Sequence, residues 1–248
     1  MRYGDRAPST RCVRPAMNNL YVARIDIATQ RLLKTVSRLD DVAAAGASLL
    51  PDWDRSMVVT HLAANADGVR RAVEAARHGD TAEVYPGGKA ARDAEIEAGR
   101  ALPARDLNLR LEVACRELSF ALGKGTDEIW DSPAIGTRGE VHIGPGLVVS
   151  RLREVEVHHV DLDYGYKPED WPFEWVMEEM DRAMLDLPSR LAPGEAVVLT
   201  ATDADQHWVA GSGDAVEVSG TTAQLFAWVI GRASHVDGVE CPGLAPWR

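Results

Sequence analysis

The sequence of 248 residues contains only three cysteines, Cys12, Cys115 and Cys241, and none of them lies in a Cys-x-x-Cys spacing. Three cysteines so far apart predict neither a disulfide framework nor a thiolate metal site. The sequence also lacks an apolar run long enough to cross a bilayer, and its N-terminus lacks the apolar core of a signal peptide. We therefore expect a soluble protein of the reducing cytoplasm.

Clustered positive charge is also scarce. The formal net charge is -11, and no group of Lys and Arg longer than a single helical turn compensates for it. A surplus of negative charge repels nucleic-acid phosphates and anionic lipid headgroups alike. We therefore expect neither nucleic acid nor a membrane surface as a partner.

The apolar residues follow a helical spacing through the first two thirds of the chain. They recur three or four positions apart, as on one face of an amphipathic helix, and glycine or proline marks several boundaries. Residues 1–16 carry four arginines and two prolines without such a pattern, so we expect a loose N-terminal extension, or a true start at Met17. The predicted helices span residues 18–42, 55–77, 88–100 and 103–122.

The stretch 147–162 allows two interpretations. Val155 and Val157 alternate with polar residues, which is also a strand pattern, but the stretch is long for a strand. We predict a helix over 145–164, because a proline at residue 145 suits a first helical turn. The preceding segment 131–146 is rich in glycine and proline, and we expect it to form a short hairpin.

The pattern changes from helical to mixed beyond residue 166. Turn residues separate short runs that are typical of strands, and Gly220-Thr221 suits the start of a helix. The sequence thus predicts an α+β protein, with a helical bundle over 17–166 and a smaller α+β domain over 167–248. The elements predicted for the smaller domain are a helix over 173–187, strands over 196–201, 207–210 and 216–219, and a helix over 221–232.

A histidine on an apolar helical face is the first candidate for chemistry. His61 lies on the stripe of Met57 and Leu62, and the ordinary explanation of a lone buried ring is a hydrogen bond to a carbonyl. If 145–164 is helical, Glu154 and His158 share one face and can converge on one ion, with His61 as a third ligand from a facing helix. The spacing alone is weak evidence, because solvated Glu-x-x-x-His pairs are common on helices.

Neighbouring polar residues allow simpler explanations. Glu156 and His159 are three apart, and we interpret them as a solvated pair that only resembles a metal site. Asp161 lies about one turn beyond His158 and is either an acceptor for its ring or a surface charge. We expect Trp53, Trp130 and Trp228, and likewise Met177, Met180 and Met184, to serve packing.

Four segments together resemble one known family. They are Val-Val-Thr-His-Leu-Ala-Ala-Asn-Ala over 58–66, Arg-Asp-Ala-Glu-Ile over 92–96, Arg-Glu-Val-Glu-Val-His-His-Val-Asp-Leu over 153–162, and Gly-Arg at 231 and 232. In combination they are specific, and from about Asn18 to the C-terminus the chain resembles mycothiol-dependent maleylpyruvate isomerases.

The resemblance implies a fold, a site and a reaction. It implies a DinB-like four-helix bundle before a small α+β domain, and a zinc or other divalent ion on His61, Glu154 and His158. It also implies that His61 and Arg232 belong to the catalytic site, with Arg232 reaching it from the second domain. The implied cosubstrate is mycothiol, whose sulfur would take an open position on the ion and attack maleylpyruvate, a dicarboxylic substrate, to give fumarylpyruvate.

The residues leave other functions open. A mycothiol-dependent S-transferase would use the same thiolate on another electrophile, and a non-catalytic helical binding protein would use the ion only to hold the bundle together. Arg232 suits a substrate carboxylate, although a cation near a helix C-terminus also stabilises the helix dipole. A zinc hydrolase is disfavoured, because the sequence has no His-Glu-x-x-His motif.

Overall fold

The computed structural model describes residues 14–124, 133–136, 139 and 141–247. The chain forms two compact units, Met1–Gly165 and Tyr166–Arg248. Residues 1–13 of the predicted extension, which include Cys12, lie outside the described residues, and so does Trp130. Residues 14–16 belong to the first helix. Within the described part of the chain, no helix combines the length and the apolar character that crossing a bilayer requires.

Four long helices form a bundle in the first unit, which confirms the predicted α+β fold with an N-terminal four-helix bundle. The first helix contacts the third and fourth of these helices, and the second contacts the same two, so the four close around one core. Among the described residues, the α-helices of this unit are α1 (Arg14–Val36), α2 (Asp41–Ala44), α3 (Arg55–Arg77), α4 (Gly88–Ala98), α5 (Ala104–Gly123) and α6 (Gly144–Asp161), of which α1, α3, α5 and α6 are the long ones.

The predicted end of the first helix at residue 42 is wrong. The helix α1 ends at Val36, although Leu39 continues the apolar spacing and is buried. The carboxylate of Asp40 accepts a hydrogen bond from the backbone N–H of Ala43 at 2.8 Å and caps the short helix α2. A new helix therefore starts where the apolar spacing suggested continuation.

The helix α3 follows its prediction closely. The side chain of Asp54 accepts a hydrogen bond from the backbone N–H of Met57 at 3.0 Å and caps its start. Gly79 lies just beyond the last turn with a φ of 76°, a conformation that glycine adopts without strain. These residues set the two ends of α3, and His61 lies in its second turn.

The helix α6 confirms the helical interpretation of residues 147–162. Val155 and Val157 are both buried, although they alternate with polar residues. The reason is that α6 packs against α1 on one side and against α3 on the other, so that both flanks of the helix need apolar residues. The predicted hairpin precedes it, with strands β2 (Pro133–Ile135) and β3 (Val141–Ile143) in antiparallel register. The strand β1 (Ala82–Glu83), which pairs with β2 in parallel, was not predicted, because two residues carry no periodicity.

The second unit places helices beside a three-stranded sheet. Its strand order is β5-β4-β6, with β4 antiparallel to β5 and parallel to β6. The rings of Trp171, Trp175 and Phe226 meet edge-on in the core. The elements are α7 (Phe173–Asp186), β4 (Glu195–Ala201), β5 (His207–Gly211), β6 (Asp214–Gly220), α8 (Thr222–Val229), β7 (His235–Val236) and β8 (Val239–Glu240).

Two predictions for the second unit are corrected. The last helix ends at Val229 and not at Arg232, because Gly231 adopts a φ of 76° that ends the helical path. The strand predicted over 216–219 begins earlier, at Asp214, because its pairing with β4 extends to Asp214 opposite Glu195. Thr221 caps α8 as predicted and accepts a hydrogen bond from the N–H of Gln224.

Candidate metal centre

Three side chains that are chemically suited to a metal ion converge inside the bundle. His61 extends from α3, while Glu154 and His158 lie one turn apart on the facing helix α6. The Nε2 atom of His61 lies 2.7 Å from Glu154 Oε2, and the Nε2 atom of His158 lies 3.1 Å from the same oxygen. Their ligand atoms all lie within 4.8 Å of one another. The structure therefore brings together the three residues that the sequence predicted as ligands.

The donor set fits a divalent ion such as zinc. Two imidazole nitrogens and one carboxylate oxygen are a common set of protein ligands in catalytic zinc sites, where a fourth position stays open. His61 is almost fully buried, whereas the side chains of Glu154 and His158 keep 28% and 17% exposure. His61 and Glu154 line a cavity together with Asn65 and Tyr85, so a small molecule can reach the site.

The protonation states of the three residues differ. Burial lowers the pKa of His61 to about 4, and the carboxylate of Glu154 opposes this only in part. Burial acts in the same direction on His158, but hydrogen bonds to Asp161 and Glu154 outweigh it and raise its pKa to about 9. Burial would raise the pKa of Glu154, yet contacts with His61 and His158 hold it well below its ordinary value. At neutral pH, His158 must therefore lose a proton to become a ligand.

Metal affinity is expected to rise with pH up to about pH 9. Below the pKa of His158, which is about 9, each pH unit should raise the affinity about tenfold, because one proton leaves as the ion binds. His61, with a pKa of about 4, is already neutral and adds nothing in this range. Competition with a chelator of known affinity between pH 6.5 and 9 measures the slope, and a flat profile would contradict this assignment.

The ring of His158 is held from behind by a carboxylate. Its Nδ1 atom lies 2.7 Å from Oδ2 of Asp161, whose side chain is fully buried. Asp161 is thus an acceptor for the ring and not a surface charge. A carboxylate in this position fixes the tautomer that presents Nε2 to the ion.

Replacing Asp161 with Asn is expected to weaken metal binding by about 10- to 100-fold, because the amide holds the imidazole ring less firmly than a carboxylate does. The measurement is a chelator competition at fixed pH. Asp163→Asn is the matched control: Asp163 lies two residues later, its side chain is 63% exposed, and its φ of 48° suits asparagine. Equal affinities of the two variants would contradict the role of Asp161.

Glu156 and His159, predicted to be a solvated pair, are in fact buried on the other side of α6. Glu156 accepts a hydrogen bond from the guanidinium of Arg31 at 2.5 Å, and His159 Nε2 lies 2.7 Å from the hydroxyl of Thr35. Both partners lie on α1. These two residues therefore connect helices of the bundle and lie apart from the three candidate ligands.

Arg232 lies in the second unit, just beyond α8. Its side chain is half-buried, and its Nη1 atom donates a hydrogen bond to the carbonyl oxygen of Ile230 at 3.1 Å. The carbonyl groups at the end of α8 thus attract this cation, as the simpler interpretation predicted. A part in catalysis stays a prediction for Arg232.

Three further residues around His61 were not assigned to the site from the sequence. Arg92 on α4 places Nη2 at 3.3 Å from Nδ1 of His61. Its guanidinium lies 5.8 Å from the ring centre of Trp53 and 5.7 Å from that of Tyr85. Trp53 also meets His61 edge-on at 5.8 Å, so the tryptophan expected to serve packing packs against a residue of this site. The Arg-Asp-Ala-Glu-Ile segment was the available signal for Arg92.

The chain is similar to known proteins in sequence and in fold. A family model described as the mycothiol maleylpyruvate isomerase N-terminal domain matches residues 25–163. A crystal structure of the mycothiol-dependent maleylpyruvate isomerase shares 24% identity at a TM-score of 0.83, covering 93% of this chain and 97% of that chain. A crystal structure of a mutant of that isomerase shares 23% identity, with the same TM-score and coverage.

At such low identity, the two structures show a shared fold. No curated protein matches the chain. The family model, however, spans more than half of the sequence and includes His61, Glu154 and His158. The chain therefore belongs to the mycothiol-dependent maleylpyruvate isomerase family.

Proposed function

We propose that this protein is a cytoplasmic enzyme that isomerises maleylpyruvate to fumarylpyruvate with mycothiol as the thiol cosubstrate. In this proposal His61, Glu154 and His158 hold zinc or another divalent ion. The observation that carries it is the convergence of these three side chains beside an accessible cavity. The two structures similar to the chain are of the mycothiol-dependent maleylpyruvate isomerase, which supports the choice of thiol and substrate.

The surroundings of the ligands suit an open, catalytic site more than a closed, structural one. Among the described residues, the candidate cluster contains three ligating side chains, whereas structural zinc sites have four. A divalent ion bound here would favour the thiolate over the thiol at neutral pH. Glu154 supplies the negative charge that an ion needs, and Asp161 keeps the ring of His158 in the required orientation.

The reaction requires that a double bond become a single bond for a short time. Reversible addition of the thiol sulfur to the cis double bond would allow rotation, and elimination of the sulfur would then give the trans product. Burial raises the pKa of Tyr85, so its phenol stays protonated in the cavity and can donate a hydrogen bond to substrate. We propose that Arg232 binds a substrate carboxylate, since its planar guanidinium can hold two oxygens.

The proposal is tested by following the absorbance of maleylpyruvate with metal-loaded protein, with and without mycothiol. We expect turnover only when both the thiol and the metal are present, and loss of turnover after treatment with a chelator. If mycothiol binds but maleylpyruvate is not consumed, a thiol transfer to another electrophile replaces the isomerase. If neither the thiol nor the substrate binds, the ion only stabilises the bundle.

A further inference from the structure

The two histidines of the metal centre differ in what lies behind them. The outer nitrogen of His158 faces the carboxylate of Asp161 at 2.7 Å, which can accept a hydrogen bond. The outer nitrogen of His61 faces the guanidinium of Arg92 at 3.3 Å, and a guanidinium can only donate. One ring therefore has the usual partner of a metal ligand, whereas the other has a cation.

This difference has a consequence when His61 becomes a ligand. An imidazole that binds an ion through Nε2 carries its hydrogen on Nδ1, so the ring and Arg92 then present two donors to each other. Their direct hydrogen bond is lost. An anionic oxygen that accepts from both groups restores a favourable arrangement.

Arg92 is well placed to hold such an anion. It lines the cavity beside Glu154, and its side chain is 21% exposed. The rings of Trp53 and Tyr85 restrain the guanidinium, and Asp93 accepts from its Nη1 atom at 3.0 Å. The Nη2 atom is the one directed at His61.

Lys89, one turn earlier on α4, offers a useful contrast. It lines the same cavity, but its side chain is 72% exposed and pairs with Asp93. A lysine is a flexible point charge, whereas an arginine presents a planar fork that matches a carboxylate. General attraction of anions by the cavity would involve both cations, but specific binding beside His61 would depend on Arg92.

We infer that Arg92 anchors a carboxylate of the acidic substrate directly beside the metal centre, within the first unit of the chain. This inference rests on the proposed function for the identity of the substrate, a short dicarboxylic acid. The anchor holds one end of the substrate next to His61. Arg92 binds the substrate in addition to Arg232. This role explains why a cation lies beside the outer nitrogen of His61.

The test measures binding of succinate, an unreactive dicarboxylate, to the zinc-loaded full-length protein by calorimetry. Arg92→Gln is expected to weaken succinate binding by about 10- to 100-fold, because the variant loses two charged hydrogen bonds to the carboxylate. The KM for maleylpyruvate should rise by a similar factor. Arg92→Lys should recover only part of the affinity. Lys89→Gln, which removes one charge from the same helix, should change it less than about threefold.

A second measurement separates the anchor from the metal site. In cobalt-loaded protein, the absorption band of a cobalt-bound thiolate on addition of mycothiol should be the same in Arg92→Gln and in the unchanged protein. Unaltered succinate binding in Arg92→Gln, loss of its metal, or an equal loss in Lys89→Gln would overturn the inference. Succinate binding that depends on Arg92, without any mycothiol-dependent turnover, would instead overturn the proposed function and leave the anchor standing.

Discussion

Replacement of His61 by alanine is expected to reduce mycothiol-dependent turnover of maleylpyruvate by about a thousandfold or more. In the proposed site, His61 is the ligand that α3 contributes, and without it the remaining pair on α6 offers one nitrogen and one oxygen. A bound ion contributes several kcal/mol of charge stabilisation, and each 1.36 kcal/mol corresponds to about tenfold in rate. The measurements are the rate with zinc in excess and the metal content after dialysis.

A histidine at the other end of the same helix provides the control. His78 is exposed at the C-cap of α3, so His78→Ala should retain the metal and the rate. Circular dichroism of both variants tests whether the bundle is intact. A folded His61→Ala variant that keeps stoichiometric zinc and full turnover would show that the chemistry takes place elsewhere in the protein.

The three candidate metal ligands could be predicted from the sequence because two simple rules apply to them. Glu154 and His158 lie one helical turn apart, and His61 interrupts an apolar stripe that must face the core. The same spacing rule cannot tell which side of a helix carries the site. Glu156 and His159 satisfied it almost as well, and only the packing of α6 against α1 explains their different role.

The residues around the ligands could not be predicted in this way. Arg92 lies on another helix and Trp53 lies in a turn, so their approach to His61 depends on how the elements pack. No periodicity within one element encodes such a contact. The family resemblance drew attention to the segment that contains Arg92, but it assigned that residue no role.

The fold shows the same division between local and tertiary causes. Asp54 and Gly79 are local signals, and the predicted limits of α3 were therefore accurate. The end of α1 was missed because Leu39 keeps the apolar spacing after the helix has ended, and the spacing contains no information about the cap at Asp40. The strand β1 depends on pairing with β2, which is distant in sequence.

Replacement of Arg151 by alanine is expected to lower the free energy of unfolding by about 3 kcal/mol, through the cavity it leaves and the charged hydrogen bonds it removes. Arg151 is fully buried on α6. Its Nη1 atom donates to the carbonyl of Leu62 at 3.0 Å and to Asn65 Oδ1 at 2.7 Å, and Nη2 contacts Cys115 Sγ at 3.4 Å. This side chain thereby joins α6 to α3 and α5. Urea denaturation measures the change.

Two further variants determine which part of Arg151 matters. Arg116→Ala removes an exposed arginine from α5 and should change stability by less than about 0.5 kcal/mol. Arg151→Met keeps much of the volume but leaves Asn65 without its donor, so its loss should be roughly half that of Arg151→Ala. If Arg151→Met instead stabilises the protein, the cost of burying the guanidinium exceeds its hydrogen bonds. Because Asn65 lines the cavity one turn beyond His61, Arg151 would then be retained to position the site at the expense of stability.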